Sequence, residues 1–169
     1  TLRGAGVRAS ATARSQALAT STLNDQVSGA RPSAGSSSTP LASSLGPLVG
    51  LEQGRGFVTD VVTTDRIFAA YSDHASSADA LRSFLLASLA TGNLRYVLLV
   101  GADTTDPWDH LGRGSISFVP TEYLPYAQNV TFSLADEHLV DGDGDGVADV
   151  AIGRLPVRTP AGGSSVVAK

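Results

Sequence analysis

Cysteine does not occur in this 169-residue chain, which excludes disulfides, thiolate metal sites and a cysteine nucleophile. The lack of cysteine does not fix a compartment, because many exported bacterial domains also do without it. Methionine is absent as well, so the chain is expected to be processed or to be a piece of a longer protein. The longest apolar run, Tyr96-Val-Leu-Leu-Val100, falls far short of the ~20 residues that a membrane helix needs. Arg3 and Arg8 are not followed by the apolar stretch of a signal peptide, so any export signal is expected upstream of Thr1. Charge is also sparse, at 17% of residues, and the 12 Lys and Arg are scattered. Without a basic stripe to meet a phosphate backbone, nucleic acid is not an expected partner.

The residues present suffice for one core of ordinary size: 42% are hydrophobic, and the formal net charge is −4. The chain reads as two unlike parts. Residues 1–44 are rich in Ala, Ser, Thr and Gly, with a low-complexity run Ser33-Ala-Gly-Ser-Ser-Ser-Thr-Pro40, and are expected to be linker or disordered. Alanine content allows a weak helix between Ser10 and Val27, but nothing in the pattern requires one. Residues 45–169 are patterned. Leu45, Leu48, Val49 and Leu51 suggest a short helix ending at Gly54 or Gly56, and Phe57-Val-Thr-Asp-Val-Val62 reads as a strand. One or two helical turns fit residues 64–71. Ser76 has the place of an N-cap, with Asp79 three positions on, and Leu81, Phe84, Leu85 and Leu89 form the one-sided stripe of a helix that Gly92-Asn93 ends.

Tyr96-Val-Leu-Leu-Val100 shows no polar alternation, as expected of a strand buried on both faces of a parallel sheet, and Val150-Ala-Ile152 is a second such run. Strand, helix and buried strand make a βαβ unit, so the fold class expected is α/β, a mostly parallel sheet between helices. Open sheets of this kind bind ligands beyond the carboxyl ends of their strands. There the chain runs into Gly101-Ala-Asp-Thr-Thr-Asp-Pro-Trp108. One reading places Asp103 or Asp106 in a cleft. The other, which is favoured, is a turn with Asp103 capping a loop and Trp108 covering the sheet end.

The sharpest chemical signal is Asp141-Gly-Asp143-Gly-Asp145-Gly146-Val-Ala-Asp149. Carboxylates at positions 1, 3 and 5, with glycine at 6, suit a hard cation, and Asp149 stands at position 9. The loop is not an EF-hand, because Ile152 occupies position 12 and a strand follows. Calcium held structurally by Asp141, Asp143, Asp145 and Asp149 is therefore expected, with Asp136 or Glu137 as further candidate ligands, and a solvated Asp-Gly turn is the alternative. No Gly-x-Ser-x-Gly elbow is present. His74, His110 and His138 have no second ligand at metal spacing and read as surface or loop histidines.

The order of these features resembles the N-terminal part of the gingipain family of cysteine peptidases. Gly153-Arg-Leu-Pro156, closing an apolar strand, carries the resemblance most strongly. Tyr96 to Asp103, Val119-Pro-Thr121 and Ala135-Asp-Glu-His-Leu139 support it. The resemblance implies a caspase-like three-layer α/β/α fold, incomplete in this chain, and an extracellular or cell-surface bacterial setting. It further implies a parent protein that cuts protein or peptide substrates through a cysteine thiolate. In the family a histidine base and then the cysteine follow the Gly-Arg-x-Pro segment, so neither maps to a residue here, and His138 is not that base. The chain departs from the family in two places. Ala161-Gly-Gly-Ser-Ser165 stands where a helix usually begins, at a cost of roughly 1 kcal/mol per glycine, and Ala135 replaces a hydroxyl residue. The expected function is thus an N-terminal fragment of a gingipain-like endopeptidase, inactive alone. A non-catalytic, calcium-stabilised adhesion or assembly module is the alternative, and a small nucleotide-binding domain is the least favoured reading because no phosphate-cradling loop is present.

Overall fold

In the computed structural model, residues 14–20, 40–112, 117–125, 128–130 and 132–168 are described. A four-stranded, wholly parallel sheet is built from β1 (Arg14–Thr20), β2 (Val58–Thr63), β3 (Tyr96–Val100) and β6 (Ala151–Leu155), in the order β2-β1-β3-β6. β4 (Tyr123–Leu124) and β5 (Ser133–Leu134) form a separate antiparallel pair. The helices are α1 (Pro40–Ser43), α2 (Gly46–Gly54), α3 (Thr64–Ala70), α4 (Ser77–Ala90) and α5 (Pro160–Val167), with a 3-10 helix over Asp136–Val140.

Alternation along β3 explains the layering. Val97 and Leu99 point to one face, where they pack with Ile67 of α3, Leu81 and Leu85 of α4, and Leu139 and Val140 of the 3-10 helix. Leu98 and Val100 point to the other, against Leu41 of α1, Leu45, Val49 of α2 and Val167 of α5. The apolar run thus serves two cores at once, as a strand covered on both sides must. The second run differs from expectation: the strand occupies Ala151–Leu155 and lies at the sheet edge, with Ala151 and Gly153 exposed.

The linker expected over residues 1–44 does not hold for Arg14–Thr20, which is an inner strand in register with both β2 and β3. Arg-Ser-Gln-Ala-Leu-Ala-Thr has no β-branched run, so local propensity is silent; pairing along two edges decides the conformation. Pro40–Ser43 likewise begins α1. The low-complexity run at residues 33–39, and the remainder of the Ser10 to Val27 segment, lie outside the described residues. β1 also separates β2 from β3, so the βαβ unit expected from residues 57–100 spans one intervening strand.

Local chemistry fixes the helix ends. Ser76 Oγ accepts from Asp79 N at 3.1 Å and donates to its carboxylate at 2.8 Å, while Gly92 takes φ +73° past the end of α4. α5 forms despite its glycines. Thr159 caps it by accepting from Gly162 N at 3.1 Å, and Pro160 occupies its first turn. A Cβ on Gly163 would stand 2.5 Å from Ser44 Oγ, so glycine here permits α5 to pack closely on the α1 end of the chain.

Candidate functional site

The carboxyl end of the sheet is organised by one side chain that the sequence reading did not single out. Arg154, on β6, spends all five of its N–H donors. Nε and Nη2 form a fork on Asp136 at 2.7 and 2.6 Å, Nη1 reaches the carbonyls of Gly101 at 3.0 Å and Val119 at 2.6 Å, and Nη2 also reaches Pro120 O at 3.3 Å. Thr121 Oγ1 donates to the same Asp136 carboxylate at 2.6 Å. The end of β3, the 118–121 segment and the 3-10 helix are therefore tied to a single guanidinium. A lone arginine in an apolar strand was the available signal, since a charge placed there needs a partner. Both Asp136 oxygens are thereby engaged by Arg154 and Thr121, and Asp136 is not among the carboxylates that converge in the aspartate loop.

Gly101 belongs to the same construction. It sits at φ +146°, and a Cβ there would lie 2.8 Å from Val119 Cγ2 and 3.0 Å from Phe118 Cβ, so the strand end and the 118–119 segment meet at a distance only glycine allows. Asp103 accepts from Thr104 N at 2.7 Å, from Ser117 Oγ and from Tyr123 OH at 2.7 Å. Asp106 accepts from the amides of His110 and Leu111 at 2.9 and 2.7 Å. Asp106 thus caps its loop, while Asp103 caps Thr104 and also ties Ser117 and Tyr123 to the sheet end. Burial pushes the Tyr123 phenol up, and the hydrogen bond to Asp103 together with that carboxylate's charge pushes it the same way. Trp108 does not cover the sheet end. It is 60% exposed, with its ring 4.2 Å from Phe132, which stacks on Tyr123 at 4.0 Å.

The aspartate loop follows the 3-10 helix directly. Asp141 is buried, at 2% exposure, and accepts from Gly144 N at 2.7 Å and Gly146 N at 3.0 Å. Burial opposes its ionisation, but those amides and the nearby His138 outweigh it and hold the carboxyl below its usual range. Asp149 accepts from Gly142 N at 2.8 Å, and Asp143 from Asp145 N at 3.2 Å. Carboxylate oxygens of Asp141, Asp143 and Asp149 converge to within 4.8 Å of one another. Asp145 stands outside that group, and its Oδ1 accepts from Val147 N at 2.8 Å. Gly144 and Gly146 take φ +78° and +85°, the left-handed turns that wrap the loop around Asp141.

The loop is braced from α4. Arg82 donates to His138 O at 3.1 Å and Asp141 O at 2.8 Å, while His138 Nδ1 pairs with Glu122, whose carboxylate also faces Arg82. His138 is thus a structural partner in this brace. His74 sits against Asp73 and the Tyr71 ring, and His110 is exposed. A pocket of about 140 Å³ opens between the β4–β5 pair and the loop, bordered by Leu124, Leu134, Glu137, His138 and Asp141. Glu137 faces this pocket.

Comparison with known proteins places this arrangement. The model of Peptidase family C25 matches residues 37–169. Two solved structures share the fold. Dimeric latent PorU from Porphyromonas gingivalis is 19% identical with a TM-score of 0.62, over 90% of this chain and 15% of that one. A chain described only as a protease is 15% identical with a TM-score of 0.59, over 94% of this chain and 27% of that one. This chain therefore spans well under a third of the length of either. No curated protein matches.

Proposed function

Because this chain belongs to peptidase family C25, the gingipain family, we propose that it is the scaffold portion of a secreted bacterial cysteine endopeptidase and hydrolyses no peptide bond on its own. The single observation that carries this reading is the Arg154 clamp. Gly153-Arg-Leu-Pro156 ends the outer strand of a caspase-like α/β sheet and ties down the rim where such sheets bind ligands. Thiolate chemistry requires a cysteine, and this sequence has none. In this reading the residues here supply a fixed platform, and the nucleophile, its base and the substrate pocket belong to other parts of the longer polypeptide. No helix among the described residues is long and apolar enough to cross a membrane.

Quenched-fluorescence peptides covering all residue types test this directly. The chain alone is expected to cleave none, and the longer polypeptide containing it is expected to cleave some and to lose that activity with iodoacetamide. Cleavage by the isolated chain, or iodoacetamide-resistant cleavage by the longer one, would overturn the reading.

Calcium is the proposed structural ion, at Asp141, Asp143 and Asp149, with Asp145 placed to shape the loop and to ligate only after rearrangement. The converging carboxylates support it. Calcium takes 6–8 oxygens, so backbone carbonyls and water would complete the shell. The same observation favours the second reading, a non-catalytic calcium-stabilised module of adhesion or assembly at a cell surface. In that case the longer polypeptide would bind calcium and cleave nothing.

A further inference from the structure

An Asp-Gly step is chemically labile, because glycine has no Cβ to hinder its own amide nitrogen. That nitrogen can give up its proton and attack Cγ of the preceding aspartate. An N–C bond forms, a C–O bond breaks and water leaves, closing a succinimide. Water then opens the ring at Cγ, restoring aspartate, or at the α-carbonyl carbon, leaving the main chain routed through the side chain as isoaspartate. The sequence needs no oxidant or other co-reactant. This chain has three Asp-Gly steps, and all three fall within Asp141 to Gly146. Their glycines are exposed, so burial does not shelter them.

We propose that this loop is an isoaspartate-forming site held in check by its own carboxylates: every glycine amide that could attack is committed to an aspartate other than the one preceding it. Gly142 N donates to Asp149 at 2.8 Å, while Gly144 N and Gly146 N donate to the two oxygens of Asp141 at 2.7 and 3.0 Å. An N–H bonded to an anion is harder to deprotonate. The bond also fixes the peptide plane, which must turn before the nitrogen can reach Cγ. The carboxyl groups under attack are committed too. Asp143 accepts from Asp145 N at 3.2 Å and Asp145 from Val147 N at 2.8 Å, each reaching past its own glycine. Asp141 therefore guards the steps at Asp143 and Asp145, and Asp149 guards the step at Asp141. This protection needs no ion. It preserves the convergence of Asp141, Asp143 and Asp149, which an isoaspartate would disturb by adding a methylene to the main chain.

Peptide mapping with electron-transfer fragmentation, which tells isoaspartate from aspartate at each position, tests this on the full chain aged in chelator at neutral pH. The folded wild type is expected to form isoaspartate at all three steps at least about tenfold more slowly than the same chain in urea, as loss of a hydrogen bond to a charged group implies. Asp149→Ala, at an exposed position, should speed the Asp141 step alone, again by about tenfold. Asp141→Ala should speed the Asp143 and Asp145 steps together. Where Asp141→Ala unfolds the chain, the wild-type and Asp149→Ala measurements decide. Isoaspartate forming as fast in the folded wild type as in urea overturns the proposal. So does a folded Asp149→Ala chain whose three steps all stay slow or all speed up together, since general loosening of the loop would not single out Asp141.

Discussion

Asp136 and Asp141 stand five positions apart and bury their charge by opposite means. Asp136 is answered from far along the chain by the Arg154 fork, with Thr121 completing its shell. Asp141 is answered from within its own loop by the amides of Gly144 and Gly146. The first solution joins three segments and makes each depend on the others. The second is mostly local, with His138 just ahead of the loop adding to the amides, and gathers negative charge that an ion would complement. Spacing alone does not separate a structural carboxylate from a candidate ligand; what does is whether a guanidinium or a turn of backbone supplies the donors.

The sharpest way to break this comparison is to remove the guanidinium. Arg154→Met leaves Asp136 uncompensated and strips three carbonyls, and it should cost about 3 kcal/mol in urea unfolding. Calcium binding should survive wherever the chain stays folded. Arg154→Lys should recover only part of the loss, because an ammonium cannot reproduce the fork. Calcium is expected to act next most strongly. At about 100 times its Kd it should stabilise the wild-type chain by about 2.7 kcal/mol, with the same gain in the Arg154 variants and none in Asp143→Asn/Asp149→Asn. Gly101→Ala should cost about 2 kcal/mol through its positive φ and the contact with Val119, with calcium affinity unchanged. Ser76→Ala, which touches neither region, should cost about 1 kcal/mol.

Acid titration of the metal-free chain sharpens the same contrast. Asp141 has a depressed carboxyl in the folded state, so its contribution is fully present above the unfolded value of about 3.9. It is lost as pH falls below that value through the lower, folded one. Asp141→Asn should flatten the stability curve in that window while leaving the slope at neutral pH unchanged.

Much of this was legible before the fold was known. The Ser76 cap, the two-faced burial of residues 96–100 and the Gly153-Arg-Leu-Pro156 motif are local or periodic signals, and each appears in the structure where the pattern put it. β1 was not legible, because Arg14–Thr20 gains its conformation from two neighbouring strands and not from its own composition. Arg154 was seen as part of a motif, but its partner Asp136 lies 18 residues away and no spacing rule joins them. The aspartate loop was legible as a pattern, and the structure sorts its members: Asp141, Asp143 and Asp149 converge while Asp145 turns to Val147.

Isothermal titration of calcium into the metal-free chain tests the two-region contrast most directly. Saturable heat from one site is expected in the wild type and in folded Arg154→Lys, and none in Asp143→Asn/Asp149→Asn, whose exposed side chains can change without emptying the core. No saturable heat in the wild type, or equal heat after both aspartates are neutralised, would contradict a self-contained cation site in this loop.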